Sequence, residues 1–119
     1  MENSRASRDW INNEPLTIIE VGDIRFCLEC RSVEVRRQRI NLTNKEFDIF
    51  ALLIMNVNRV FTYEMIMDIV WNEKYDLYSR KTITNHISNI RKKLKITPDI
   101  PDYIKSIHSV GYKFDADII

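Results

Sequence analysis

The chain has 119 residues, of which 45% are hydrophobic and 29% are charged, and its formal net charge is +1. This length suits one compact domain, and the composition is that of a globular protein rather than a disordered or fibrous one. The apolar runs are shorter than the roughly 18 residues that a membrane-spanning helix needs, and no apolar stretch of a signal peptide follows the polar N-terminus. We therefore expect a cytoplasmic domain that has no membrane partner.

The positive charge of the chain is concentrated in one segment. Between Leu77 and Pro98 the sequence contains no acidic residue, so the remainder of the chain is net acidic. A local basic element on a mildly acidic body is typical of a module that reads DNA. A solvated helix face would give the same pattern, so charge alone leaves both interpretations open. The basic residues of this segment are Arg80, Lys81, Arg91, Lys92, Lys93 and Lys95.

Cys27 and Cys30 are the only cysteines, and their spacing could indicate a redox pair or half of a zinc site. Their segment reads as a strand, and the only histidines, His86 and His108, belong to other predicted elements. We interpret both cysteines as core or surface thiols, and we expect no metal and no cofactor.

The N-terminal third of the chain predicts a linker followed by a sheet. Residues 1–15 are polar and end at Pro15, so they read as a linker or flexible arm ahead of a domain at 16–119. Short β-rich runs follow, with a turn at Gly22 and Asp23, and predict a small antiparallel sheet. The predicted strands cover residues 16–21, 24–28, 32–35 and 39–42.

The first helix has a clear start, because Thr43 and Glu46 have the spacing of a capping box. Apolar residues then recur at three- and four-residue steps and predict a broad buried face. That face is made of Phe47, Phe50, Leu53, Ile54 and Val57.

A second helix is predicted after a short strand at residues 60–61. Thr62 is a good N-cap, and Trp71 closes the helix. Three apolar residues are predicted to point inward, namely Ile66, Ile69 and Val70.

The third helix is predicted over about residues 80–95, with Ser79 as its N-cap. One apolar stripe, made of Ile83, Ile87, Ile90 and Leu94, fixes which face is buried. Pro98 and Pro101 end the helix. Residues 103–107 and 112–114 then predict the strands of a β-hairpin, which flank a turn at residues 109–111. The face opposite the stripe carries Lys81, Asn85, Ser88, Asn89 and Lys92.

This order of elements predicts an α+β fold, a winged helix-turn-helix with an N-terminal antiparallel sheet, three helices and a C-terminal hairpin wing. Lysine suits phosphate and asparagine suits base edges, so the polar face of the third helix has the chemistry for a major groove. A hairpin beside it can reach the adjacent minor groove. A protein-interaction module on the same fold, with only weak non-specific DNA binding, is the alternative that the pattern leaves open.

Several separated motifs, in order, resemble the OmpR/PhoB-type effector domain of response regulators. The resemblance covers nearly everything after Pro15. It implies sequence-specific binding of double-stranded DNA in bacterial transcription regulation, as a head-to-tail homodimer on direct-repeat sites. A receiver domain usually precedes this domain in the family, so an excised output domain and a stand-alone regulator are both open. The motifs are Leu42-Thr43-x-x-Glu46-Phe47, Arg59-Val60-Phe61, Val70-Trp71, Lys81-Thr82-Ile83 through Arg91-Lys92-Lys93-Leu94, and Ile104-x-x-Ile107-x-x-x-Gly111-Tyr112-x-Phe114.

The resemblance also implies roles for individual residues of the third helix. Phosphate contacts fall to Lys81, Thr82 and Arg91, while Lys92 is expected on phosphate because of its place farther along the polar face. Base contacts fall to Asn85, Ser88 and Asn89, and because asparagine pairs bidentately with adenine, we expect a half-site that contains adenine.

For residues that flank the polar face, the resemblance implies less specific roles. His86 would lie at the helix flank near the DNA backbone, although a packed histidine with a hydrogen-bond partner is an equal alternative, and His108 would lie at the wing tip. Lys81 stands where arginine is usual, and Ser88 and Asn89 stand at commonly basic positions, so contacts to guanine should be fewer. The loop at residues 72–79 matches a segment that can touch RNA polymerase, with Glu73, Lys74 and Asp76 as its charges.

An enzyme is a poor match to this sequence. Gly22 and Gly111 are the only glycines, so no glycine-rich phosphate loop is present, and the two histidines lack the spacing of a metal motif. No predicted face clusters carboxylates with a histidine or lysine. We therefore expect a binding domain without catalytic residues.

Overall fold

The computed structural model of the protein describes residues 15–118, so the predicted linker at residues 1–15 lies outside the described residues except for Pro15. Four antiparallel strands pair in sequence order to form the first sheet. This confirms the predicted sheet, whose strand ends were misplaced by at most two residues. The strands are β1 Ile18–Val21, β2 Ile24–Cys27, β3 Ser32–Val35 and β4 Gln38–Ile40.

Strand alternation gives this sheet one apolar face and one charged face. The register aligns Ile19, Phe26, Val33 and Ile40 in one row across the four strands. Phe26 is fully buried in this row and stacks on Phe47 of the first helix, with 5.5 Å between ring centroids. The sheet therefore packs its apolar face on the helices.

Helix α1, Asn44–Ile54, begins at the predicted capping box. The Thr43 hydroxyl accepts a hydrogen bond from the Glu46 amide at 3.3 Å, and the Glu46 carboxylate accepts one from the Thr43 amide at 3.0 Å. The expectation that Val57 belongs to the buried face was wrong. The helix ends at Ile54, so Val57 lies in the following turn and is 42% exposed.

Helix α2 starts after the short strand β5, Phe61–Thr62, and has two parts: an α-helix at Tyr63–Ile66 and a π-helix at Met67–Trp71. The Thr62 hydroxyl accepts from the Met65 amide at 3.1 Å, which confirms the predicted N-cap. The inward placement of Ile69 was wrong, since this side chain is 53% exposed. The wider π-helical turn shifts the phase of the helix, so a 3.6-residue period no longer applies there.

Helix α3, Ser79–Leu94, follows a loop, and its N-cap is Tyr78 rather than the predicted Ser79. Ser79 is the first helical residue. The carboxylate of Asp76 takes the capping role, because it accepts from the amides of Tyr78 at 2.9 Å and Ser79 at 3.1 Å. These hydrogen bonds hold the pKa of Asp76 below its ordinary value.

The wing is the antiparallel hairpin β6, Ile104–Ile107, and β7, Gly111–Phe114. Strand β5 pairs with β7, so the second sheet has the order β5-β7-β6. Any side chain at Gly111 would collide with the carbonyl oxygen of Phe61 in β5. Glycine at this position therefore lets β5 and the wing approach closely.

Aromatic contacts join both sheets to α1 in one core. Phe50 of α1 lies between Phe26 of the first sheet and Phe114 of the wing, with ring centroids 6.2 and 5.9 Å away. The Tyr103 hydroxyl, just before the wing, donates to the Asp23 carboxylate at 3.1 Å. No helix within residues 15–118 is long and apolar enough to cross a membrane.

Candidate nucleic-acid interface

The buried stripe of α3 is the predicted one, with Ile83, Ile87 and Ile90 fully buried and Leu94 nearly so. This stripe fixes the rotation of the helix about its axis. The remaining surface divides into an exposed face opposite the stripe and two flanks. One flank meets α1 and the end of α2, and the other meets the wing and the start of α2.

The exposed face contains the five residues that the sequence placed opposite the stripe, of which four are exposed and Ser88 is half-buried. No acid lies among them, and neither of the two lysines forms an ion pair within the described part of the chain. The helical repeat places Asn85 and Asn89 one turn apart, so two amides lie between two cationic ends. This face presents Lys81, Asn85, Ser88, Asn89 and Lys92.

The flank that meets α1 and α2 holds Thr82 and His86 against the protein. Thr82 donates its hydroxyl proton to the carbonyl of Tyr78 at 3.1 Å. His86 places Nδ1 2.7 Å from the carbonyl oxygen of Thr82, so Nδ1 is the donor and Nε2 is left for another partner. The histidine ring also packs edge-on against Trp71, with centroids 5.1 Å apart.

Lys93 lies on the same flank and forms an ion pair within the protein. Its Nζ is 2.7 Å from the carboxylate of Glu46, which is 3% exposed. Burial disfavours the charged carboxylate, but bonds from Lys93 and the Thr43 amide outweigh it, and the pKa of Glu46 lies below its ordinary value. Lys93, one of the six basic residues of the segment, is thus neutralised by a buried carboxylate.

The flank that meets the wing carries Arg91 and Lys95, and both are bound there. Arg91 donates from Nη2 to the carbonyl of Ile104 at 2.8 Å and to the Ser106 hydroxyl at 3.0 Å. Lys95 pairs with Asp102 at 2.9 Å. Arg91 therefore ties the helix to β6, a role that sequence reasoning missed because it depends on a backbone carbonyl of another element.

The same flank carries Thr84 and packs near Tyr63 at the start of α2, and no role for either residue was predicted from the sequence. Each hydroxyl oxygen lies 3.4 Å from the hydroxyl of the buried Tyr112. The guanidinium of Arg80 lies over the Tyr63 ring, 4.7 Å from its centroid. No sequence motif marks this cluster, because α2, α3 and the wing each contribute to it.

The wing tip and the loop before α3 are both exposed. His108 lies in the turn between β6 and β7, next to Ser109, whose φ of 60° is left-handed. In the loop, Glu73 and Lys74 are exposed, whereas Asp76 is engaged in the cap of α3. Sequence reasoning missed the 92% exposed Leu77 in this loop.

The two cysteines differ in exposure. Cys27 ends β2 and is buried, whereas Cys30 is exposed in the following turn. The Cys30 amide donates to the Cys27 sulfur at 3.3 Å, and a side-chain hydrogen bond with Cys27 raises the pKa of the Cys30 thiol. Across residues 15–118, histidine, cysteine, aspartate and glutamate form no group of three or more that could hold a metal ion.

Comparison with known families agrees with this architecture. Residues 37–114 match the family model described as "Transcriptional regulatory protein, C terminal". The chain belongs to this family. The OmpR/PhoB resemblance predicted from the motifs is confirmed, and so is the winged-helix fold.

Three similar proteins illustrate the membership of this OmpR/PhoB-type domain. "Regulatory protein VanR" of Enterococcus faecium is 36% identical over 81 residues, covering 68% of this chain and 35% of VanR. Response regulator DrrB of Thermotoga maritima, an OmpR/PhoB homolog, superposes with a TM-score of 0.72 and 29% identity, over 94% of this chain and 50% of DrrB. The DNA binding domain of response regulator AdeR, solved in complex with an intercistronic region, gives 0.67 and 28% over 81% and 96%. The chain thus spans half or less of VanR and DrrB.

Proposed function

We propose that this domain binds double-stranded DNA sequence-specifically to regulate transcription, as the output domain of a response regulator or as a stand-alone regulator. Helix α3 lies in the major groove, and the wing reaches toward the minor groove. The exposed face of α3 carries this proposal, because two lysines flank two asparagines there and no acid is present. The similar DNA binding domain of AdeR, solved in complex with an intercistronic region, supports it.

The roles on the exposed face follow from side-chain chemistry. Lys81 and Lys92 bind phosphate and contribute affinity without sequence preference. Asn85 and Asn89 pair with N6 and N7 of adenine. Ser88 is short and can bond to several bases, so it adds little discrimination.

The flank residues have mixed roles in this proposal. His86, when both ring nitrogens carry a proton, donates from Nε2 to the DNA backbone beside the groove. The Thr82 hydroxyl reaches that backbone by turning away from the Tyr78 carbonyl. Arg91 has N–H groups besides the Nη2 that holds β6, and these can reach a phosphate while the wing stays fixed. His108, at the wing tip, enters or flanks the minor groove, where narrow A·T tracts attract cations.

Two protein partners complete the proposal. The domain binds direct-repeat sites as a head-to-tail homodimer, and the loop before α3 touches RNA polymerase. The exposed Glu73 and Lys74 are the charges available for that contact, since Asp76 already accepts bonds from the start of α3.

A selection from randomised duplexes with the purified domain tests this function. We expect enrichment of repeated half-sites that contain adenine, and binding to the enriched duplex that exceeds binding to a scrambled duplex by at least about 10³-fold. Weak binding to every duplex, lost as salt is raised, would instead favour the protein-interaction module.

A further inference from the structure

The cluster where α3, the start of α2 and the wing meet contains polar groups that the proposed base and phosphate contacts do not use. Arg80, on the first turn of α3, lies over Tyr63 at the start of α2. Thr84, one turn farther along α3, shares the buried Tyr112 hydroxyl with Tyr63. One cation and two partly exposed hydroxyls thus meet where three elements converge.

The hydroxyls of this cluster are only loosely bonded to each other. Both O···O distances to Tyr112 are 3.4 Å, whereas hydroxyl hydrogen bonds are typically about 2.7–2.8 Å. A hydroxyl can rotate toward a better acceptor without breaking a strong bond. The cluster therefore offers donors to an oxygen that arrives from solvent.

Two cations border this cluster, because Arg80 lies over the Tyr63 ring and Arg91 lies over the Tyr112 ring, 5.6 Å from its centroid. Burial opposes ionisation of Tyr63, but its bond to Tyr112 and the charge of Arg80 outweigh burial, and the pKa of Tyr63 lies below its ordinary value. Within residues 15–118, Arg80 has no carboxylate partner. Guanidinium and hydroxyl donors suit an anionic oxygen.

The fold indicates which anion reaches this cluster. When a helix occupies the major groove and a wing reaches the adjacent minor groove, the sugar-phosphate strand between the two grooves must cross between helix and wing. Arg80 and Thr84 lie on the side of α3 that faces the wing. That strand would therefore pass over them.

We propose that Arg80, Tyr63 and Thr84 bind one phosphate of the DNA backbone at the point where the strand crosses from the major to the minor groove. This inference rests on the proposed function, since it requires α3 and the wing to occupy adjacent grooves. The contact fixes the angle between helix and wing on the duplex and carries no base preference.

Single substitutions on the selected duplex give the first test. Arg80→Gln should reduce the slope of log K against log salt by about 0.9, the value for one phosphate contact. Thr84→Val and Tyr63→Phe should each weaken binding about two- to tenfold, as for loss of one hydrogen bond. Lys95→Gln is the matched control, because this cation lies on the same flank but pairs with Asp102, and its slope should equal that of the parent.

Duplexes in which one phosphate at a time is replaced by a neutral methylphosphonate give the decisive test. One replacement, between the base contacts and the minor groove of the wing, should weaken the parent and leave Arg80→Gln unaffected. If Arg80→Gln keeps the parent's slope and its sensitivity to every replacement, the phosphate site is wrong while the proposed function stands. If the parent itself prefers no duplex, both the proposed function and this inference fail.

Discussion

The outer face of the N-terminal sheet and the exposed face of α3 are both charged, yet they use charge differently. On the sheet, the register aligns Glu20, Arg25, Glu34 and Arg39 across the four strands, so that the sign alternates. The Arg25 guanidinium bonds the Glu20 carboxylate at 3.1 Å. On α3, lysines lie at both ends of the face and no acid intervenes. Opposite charges on the sheet offset one another, whereas the lysines give the exposed face of α3 a net positive charge.

The basic residues of α3 show the same contrast, because some are paired within the protein and others face solvent. Lys93 and Lys95 have carboxylate partners, and Arg91 donates to a backbone carbonyl. Lys81 and Lys92 face solvent. Net charge therefore overstates what this helix can offer to DNA. Substitutions of Lys93 and Lys95 should affect folding, substitutions of Lys81 and Lys92 should affect binding, and substitution of Arg91 should affect both.

The largest expected effect is on folding, from Glu46→Ala. This change removes the capping-box acceptor and leaves Lys93 without its partner, so we expect the free energy of unfolding to fall by about 2 kcal/mol. Glu46→Gln keeps an acceptor for the Thr43 amide and should cost about half as much. Urea denaturation followed by circular dichroism measures both, and Lys92→Ala, on the exposed face, is the control that should lose nothing.

Acid should remove this stabilisation. The pKa of Glu46 is lowered in the folded protein, so its contribution is complete above the ordinary value of 4.5 and is lost as the pH falls through the lowered value. The stability difference between the parent and Glu46→Gln should therefore shrink below about pH 4.5. A difference that stays constant down to pH 2.5 would show that the charge of Glu46 does not stabilise the fold.

The next effect is on binding specificity, from Asn85→Ala and Asn89→Ala. Each change should cost about 1–3 kcal/mol on the best site and flatten the preference at one base pair, because a bidentate contact to adenine is lost. The selection of randomised duplexes, repeated with each variant, shows which base pair changes. If both variants keep the full preference of the parent, base reading lies elsewhere, in shape readout through the wing.

The exposed face could be predicted from sequence because it depends on one local quantity, the helical repeat. Ile83, Ile87, Ile90 and Leu94 fix the buried side, and the opposite side follows from geometry. The capping box at Thr43 was predictable for the same reason, since both partners lie within one turn. Predictions failed where the local repeat changed, as at Ile69, where α2 widens into a π-helix.

The side-chain contacts between α3 and the rest of the protein could not be predicted from the sequence. Lys93 and Glu46 are 47 residues apart, and nothing in either segment indicates that they meet. The hydrogen bond from Arg91 is accepted by the backbone carbonyl of Ile104, so no side chain of β6 indicates it in the sequence. Such contacts depend on how α1, α3 and the wing pack, which one sequence does not specify by pattern.

A smaller effect, on salt dependence, should separate the two charged faces. Lys81→Gln and Lys92→Gln should each lower the slope of log K against log salt by about 0.9 and weaken all duplexes alike. Arg25→Gln removes an exposed cation from the sheet and should leave the slope unchanged. Equal slopes for all three variants and the parent would mean that α3 does not face the phosphates.

The smallest expected effect is the pH dependence that His108 gives to binding. Histidine is the side chain whose charge normally changes between pH 5 and 8, and a protonated ring at the wing tip is attracted to a narrow minor groove. Affinity should therefore fall as pH rises from 5.5 to 8, and His108→Ala should fall less. His86 is present in both proteins, so the difference between the two curves isolates His108.

His108→Arg keeps a cation at every pH and should bind more tightly than the parent at pH 8. Parallel curves for the parent and His108→Ala would exclude this histidine from the interface, and the wing would then contact DNA only through its backbone and neighbouring side chains.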